Sequence, residues 1–91
     1  MITKPDDLYL ELVTPEEILF SGWAGLIDVP GGKGRFMILR EHAAIISTLT
    51  KGFIRIISKE GVEKRYDCAG GVVECIDNRV TILMDHPAKA N

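Results

Sequence analysis

Ninety-one residues with 11 basic and 13 acidic side chains give a formal charge of −2, and 46% of the chain is hydrophobic against 26% charged. That length fits one domain, 1–91, with a modest core, and the composition is that of a folded globular chain and not of a disordered tail. A near-neutral balance with no like-charged run of five excludes the basic surface that a nucleic-acid binder uses to neutralise phosphates.

The N-terminus, Met1-Ile2-Thr3-Lys4-Pro5-Asp6-Asp7, has no apolar stretch behind its lysine, so no secretory signal is read there. The apolar runs are also far too short to span a bilayer as a helix. From Leu8 onward the pattern is one of strands. Leu8, Leu10 and Leu12 alternate with Tyr9 and Glu11 until Thr14-Pro15-Glu16-Glu17 breaks the run, since proline cannot donate to a ladder. Ile18 to Phe20 is expected as a short second strand and Ser21-Gly22 as a bend. Trp23 to Val29 is then a third strand, ending where Pro30 and Gly31 suit the central positions of a type II turn. Gly34 to Leu39 makes a fourth strand, Arg40-Glu41-His42 interrupts it, and Ala43 to Thr50 is β-branched. Lys51-Gly52 is the next punctuation mark. Phe53 to Lys59 and Val62 to Ala69 form a hairpin about Gly61, with Ile54 and Ile56 on one face and Arg55 on the other. After Gly70-Gly71, Val72 to Ile76 and Val80 to Met84 flank Asp77-Asn78, residues that tolerate positive φ, as a last hairpin. Eight to ten short strands at this spacing predict an all-β sandwich or barrel. Its core runs over about residues 8–85, and 86–91 is a short tail.

Several strands are apolar on both faces, as in Ile45-Ile46, Phe53-Ile54, Ile56-Ile57 and Val72-Val73. One small interior cannot hold them all, so part of the surplus is expected on an outer face, where apolar patches mark docking surfaces.

Motifs that would carry chemistry do not stand up. Gly31-Gly32-Lys33-Gly34-Arg35 lacks the spacing of a phosphate loop and leads into a strand, not into a helix N-terminus. Glu41 and His42 are adjacent in an extended segment and point apart, so they make no acid–base pair. None of Ser21, Ser47 and Ser58 sits in a nucleophile elbow. Cys68 and Cys75 lack two further ligands at zinc spacing, because His42 and His86 stand alone, and they are read as reduced core thiols. Trp23 and Phe20, without interleaved lysines, are read as core residues and not as a base-stacking platform. A free-standing β-barrel binding a metal or small molecule, in a cavity lined by Cys68, Cys75 and a histidine, is the alternative.

The order of motifs resembles that of the epsilon subunit of the rotary F-type ATP synthase, in its N-terminal β-sandwich. Phe20-Ser21-Gly22 is similar to that family's early bend; Gly34, Ile38, Leu39, His42 and Ala43 follow its glycine, strand and His-Ala pattern; Lys51-Gly52 fits its turn. Gly70 to Cys75 and Val80 to Asp85 are similar to its last two strands. The match covers about residues 8–85. Three departures stand out: Arg40-Glu41 replaces a Pro-Gly pair, Ala44 replaces a proline, and Arg35 stands where an acid is common. The helical hairpin that commonly follows the sandwich is missing from this sequence.

The resemblance implies a flattened two-sheet sandwich in the central rotor stalk, peripheral at the cytoplasmic face of the cell membrane, coupling proton flow to ATP synthesis without catalysing anything itself. It implies docking onto the gamma subunit through Leu19, His42, Ile46, Ser47, Ala69 and Thr81. The loop Pro30, Gly31, Gly32, Lys33, Gly34 and Arg35 would face the c ring, with Arg35 either meeting an acid of the ring or turning aside toward Asp28 or Glu41. No cofactor, small-molecule ligand, nucleic acid or membrane insertion is expected.

Overall fold

The computed structural model describes residues 7–85. Within them nine strands follow one another: β1 (Leu8–Val13), β2 (Ile18–Ala24), β3 (Leu26–Gly31), β4 (Gly34–Ile38), β5 (Ile45–Leu49), β6 (Gly52–Ile57), β7 (Glu63–Cys68), β8 (Gly71–Ile76) and β9 (Arg79–Met84). They form one strongly curled sheet of order β2-β1-β9-β8-β5-β3-β6-β7, with β4 on the far side of β3. The two halves fold over each other as a sandwich. In the first, β2-β1-β9-β8-β5, every pairing is antiparallel except that of β1 with β9. The second, β4-β3-β6-β7, joins it through a single bridge from Gly31 to Leu49.

Period-two alternation decides what is buried. Leu8, Leu10 and Leu12 of β1 are fully buried, as are Val80, Ile82 and Met84 of β9, and they meet Ile27, Val29, Ile54 and Ile56 from the opposite half. Cys68 and Cys75 are free thiols within this core, and burial raises the pKa of both above the ordinary cysteine value. The β8–β9 hairpin turns on Asp77 and Asn78 with φ of 51° and 63°, the left-handed pair that a two-residue turn requires. Ile54 and Ile56 face inward and Arg55 outward, as the sequence indicates.

Three turns differ from expectation. Ser21 and Gly22 do not bend the chain: Gly22 lies in the ladder opposite Leu10, and the break falls at Gly25, whose N–H donates to the Ile57 carbonyl at 2.8 Å. Pro30 and Gly31 are not the corners of a type II turn but the buried end of β3. Pro30 owes β4 no donor, because its pair with Arg35 is a non-hydrogen-bonded one: its carbonyl turns the other way and accepts from the Thr50 N–H at 2.8 Å, and the reversal is left to Gly32 and Lys33. The fourth strand ends at Ile38, one residue early, because Leu39, Arg40, Glu41 and His42 close a turn through a 3.0 Å bond from the His42 N–H to the Leu39 carbonyl.

Candidate docking surface

Register across the first half sorts its outward residues into three rows. Trp23, Tyr9, Arg79 and Ile76 form the first, and Ser21, Glu11, Thr81, Glu74 and Ile46 the second. Ile18, Val13, Leu83, Val72 and Thr48 form the third. Two mainly apolar rows thus flank a polar one. Ile46 is 72% exposed, Ile18 67% and Leu83 49%, and Trp23, Val72 and Ile76 are exposed as well. This is the outer-face surplus that the doubled apolar pairs lead one to expect, and it makes this face the candidate for docking. Its aromatic corner is ordered by contact: the Tyr9 and Trp23 rings meet edge to face at 5.2 Å, Tyr9 shares a hydroxyl bond with Ser21, and the Arg79 guanidinium lies over Tyr9. Trp23 is therefore not a core residue, because pairing with Tyr9 on β1 turns it outward.

The outer face of the second half has the opposite character. Asp28, almost fully buried, is held between Arg35 at 3.3 Å and Arg55 at 3.2 Å. Arg55 continues to Glu63, which accepts a 2.9 Å bond from Arg65, and that bond to Arg65 is the main reason the Glu63 carboxyl lies below its ordinary pKa. Arg35 and Arg65 both stack on the Phe53 ring. The cations here are matched by carboxylates and covered by an aromatic ring, so this face is already satisfied. Arg35 turns aside toward Asp28, one of the two outcomes expected for it.

The six residues expected to dock onto a partner do not share one surface. Ile46 and Thr81 lie in the middle row of the apolar face. Ser47 does not: it pairs with Val73 and so points to the other side of β5, and the expectation that Ile46 and Ser47 both face outward fails on strand alternation. Leu19 is the extra residue of a β-bulge, since Leu12 pairs with Phe20 and Val13 with Ile18, and it packs on the core. His42 is half-buried in the β4–β5 loop near the Phe36 ring, and Ala69 is exposed in the β7–β8 turn. Sequence reasoning missed Tyr9, Val13, Leu83, Val72 and Ile76, although their alternation with buried neighbours contained the signal.

The loop expected to face a ring is tighter than its glycines suggest. Pro30 and Gly31 are buried, Gly32 and Lys33 alone form the tip, and the Gly32 N–H is tied to the Thr48 carbonyl at 3.1 Å. Gly34 takes a φ of 126°, and a Cβ on Gly31 would collide with the Phe36 ring. Beside the tip a groove of about 550 Å³ runs between residues 31–36 and 45–48. Among the described residues, no group of three or more His, Cys, Asp or Glu side chains could hold a metal ion, and no helix is long and apolar enough to cross a membrane.

Residues 7–90 match the family model of the ATP synthase delta/epsilon chain β-sandwich domain. The chain is 40% identical over 81 residues to an ATP synthase epsilon chain of Leptospira borgpetersenii, covering 89% of this chain and 63% of that one. It is 37% identical over 76 residues to the one of Syntrophomonas wolfei, covering 84% and 56%. The chain thus spans about 60% of the length of the curated relatives it matches. Its fold is similar to a chain in the cryo-EM structure of the Euglena gracilis mitochondrial ATP synthase, with a TM-score of 0.86 at 20% identity over 92% of this chain and 54% of that one. A chain in the Tetrahymena thermophila central stalk and c-ring structure gives a TM-score of 0.74 at 20% identity, over 92% and 67%. The chain belongs to the family of ATP synthase delta/epsilon β-sandwich domains.

Proposed function

We propose that this chain is a non-catalytic rotor component of an F-type ATP synthase, bound to the gamma subunit and set against the c ring at the cytoplasmic face of the membrane. One observation carries the gamma-facing part: the outer face of the first half is apolar and unmatched, while that of the second is a closed network of ion pairs. Ile46 and Thr81 sit on this face. Ser47 points to the other side of β5 and Leu19 packs on the core, so neither belongs to it. The β3–β4 tip at Gly32 is the element offered to the ring, while Lys33 lines the groove beside β5.

The test is assembly with the gamma subunit of the same ATP synthase. Leu83→Arg and Val72→Arg leave the core untouched and place a charge that desolvation penalises by several kcal/mol inside the buried face. Each should reduce gamma affinity at least a hundredfold, whereas Arg65→Glu on the opposite face should change it less than fivefold. Full affinity in Leu83→Arg refutes the docking face. A cysteine at Gly32 should crosslink to the ring in the assembled complex, and its failure to do so refutes the placement of the tip.

A further inference from the structure

The groove beside the tip is bounded by backbone that lacks partners. Thr48 gives its carbonyl to Gly32, away from β8, so the alternation of an antiparallel ladder turns the N–H and C=O of Ile46 and the N–H of Thr48 to that same free side. The Pro30 carbonyl goes to Thr50, away from β4, so the Pro30–Arg35 pair is a non-bonded one, and Arg35 and Met37 turn their N–H and C=O groups to the outer edge of β4, on the side of β3 opposite β5. Among the described residues, none of these groups on Ile46 or Met37 has a partner. Ile46 is also the most exposed large hydrophobic residue described.

An unpaired strand edge with exposed apolar side chains is a template for another strand. The groove lining contains two cations, Lys33 and Arg35, and no acid. Lys33 has no carboxylate partner among the described residues, and Arg35 is only partly exposed because it is held by Asp28. A helix cannot satisfy the free donors and acceptors of β5. A second copy of this chain, pairing through the same edge, would bring no carboxylate from its own groove lining to meet Lys33. We propose that an extended segment of the partner subunit, apolar at alternate positions and carrying a carboxylate opposite Lys33, adds to the free edge of β5 as a further strand. The proposal rests on the docking of gamma argued above and specifies its geometry: the apolar face supplies area, and the β5 edge fixes register.

Proline at position 46 isolates the edge. It removes an N–H that bonds nothing in the free chain, so Ile46→Pro should keep the thermal midpoint within a few degrees, whereas Ser47→Pro, facing β8, should unfold the domain. With the gamma subunit, Ile46→Pro should weaken binding at least tenfold and Ile46→Thr less than threefold, and Lys33→Glu should weaken it about two- to fivefold, as an exposed pair does. Hydrogen exchange reads the same bonds without a variant: the Ile46 and Thr48 amides should slow at least a hundredfold in the complex. If Ile46→Pro binds normally, or those amides stay unprotected while Leu83→Arg still abolishes binding, docking occurs through the face alone and strand addition is refuted. If neither substitution matters, the docking face falls as well. If the amides become protected with rising concentration of this chain alone, the occupant is a second copy.

Discussion

Gly71 opens β8, the strand between β9 and β5, and its place can be tested by one methyl group. Its φ is 153°, and a Cβ there would overlap the Leu83 carbonyl oxygen and lie 2.9 Å from the Met84 Cα. Both obstacles are backbone of β9, held in register by the pairs Gly71–Met84 and Val72–Leu83, and on the other side Leu49 of β5 pairs with the same glycine. No flexible side chain can give way. Strain at such a φ costs about 1–3 kcal/mol and forced overpacking about 1–3 kcal/mol more, so Gly71→Ala should cost roughly 2–6 kcal/mol. A domain of this size has on the order of 5–15 kcal/mol to lose, and each kcal/mol lowers its midpoint by about 4–8 °C. The expected fall is about 8 °C or more.

Gly61 supplies the control, because its φ is 94° and a Cβ there meets nothing within 4 Å. Gly61→Ala suffers conformational strain alone, about 1 kcal/mol. Urea and thermal unfolding of the two variants should therefore separate steric from conformational cost. If the two losses agree within about 0.5 kcal/mol, the close approach of β9 to Gly71 contributes nothing and the reasoning is wrong. If Gly71→Ala is the larger, the seam between β8 and β9 is fixed by contact and not by turn preference.

Glu41 stands at a φ of 70°, with its N–H donating to Asn78 Oδ1 and its carboxylate accepting from Asn78 Nδ2. Glycine relieves about 1–3 kcal/mol of strain, offset by about 0.4–1 kcal/mol of unfolded-chain entropy and one exposed hydrogen bond, so urea midpoints should rank Glu41→Gly above the parent and Glu41→Ala below it. The two cysteines set an alkaline limit. Their folded pKa values are raised by burial, so the stability they contribute is present below the unfolded cysteine pKa and is lost as pH rises from there toward the folded values; the unfolding midpoint should fall above about pH 8.5, and Cys68→Ala/Cys75→Ala should flatten that fall.

Local chemistry carried most of the fold in the sequence. Leu8, Leu10 and Leu12 announce a half-buried strand, and Asp77-Asn78 announces a two-residue turn, because each signal lies within a few residues. What it did not carry is pairing between distant segments. β1 runs parallel to β9 across most of the chain, and nothing local in Leu8–Val13 names Arg79–Met84 as its neighbour. The same blindness misplaced Trp23: the lack of interleaved lysines suggested the core, but its face is set by Tyr9 on another strand. Gly22 and Pro30 punctuate sequences in general, yet here ladder position and the Thr50 bond absorb them. The exposed apolar face was half legible. Ile46 and Thr81 lie on it, while Ser47 does not because neighbours on a strand cannot share a side.

The distribution of charge over the edges opposes pairing between copies of this chain. β7, at one end of the sheet order, carries Glu63, Lys64, Arg65 and Asp67, and such an edge resists pairing with another chain. β2, at the other end, has no charged residue in Ile18–Ala24, but Tyr66 of β7 donates to the Leu19 carbonyl at 3.5 Å and Lys64 lies over the Phe20 ring. The charged edge thus reaches across and covers the uncharged one. On the face itself, Glu11 and Glu74 flank Thr81 in the middle row, so two copies meeting face to face would bury like charges. A partner with basic groups between apolar ones meets no such penalty. In the docking proposed above, the carboxylates would admit a complementary subunit and disfavour self-association, and the flanking apolar rows would supply most of the affinity.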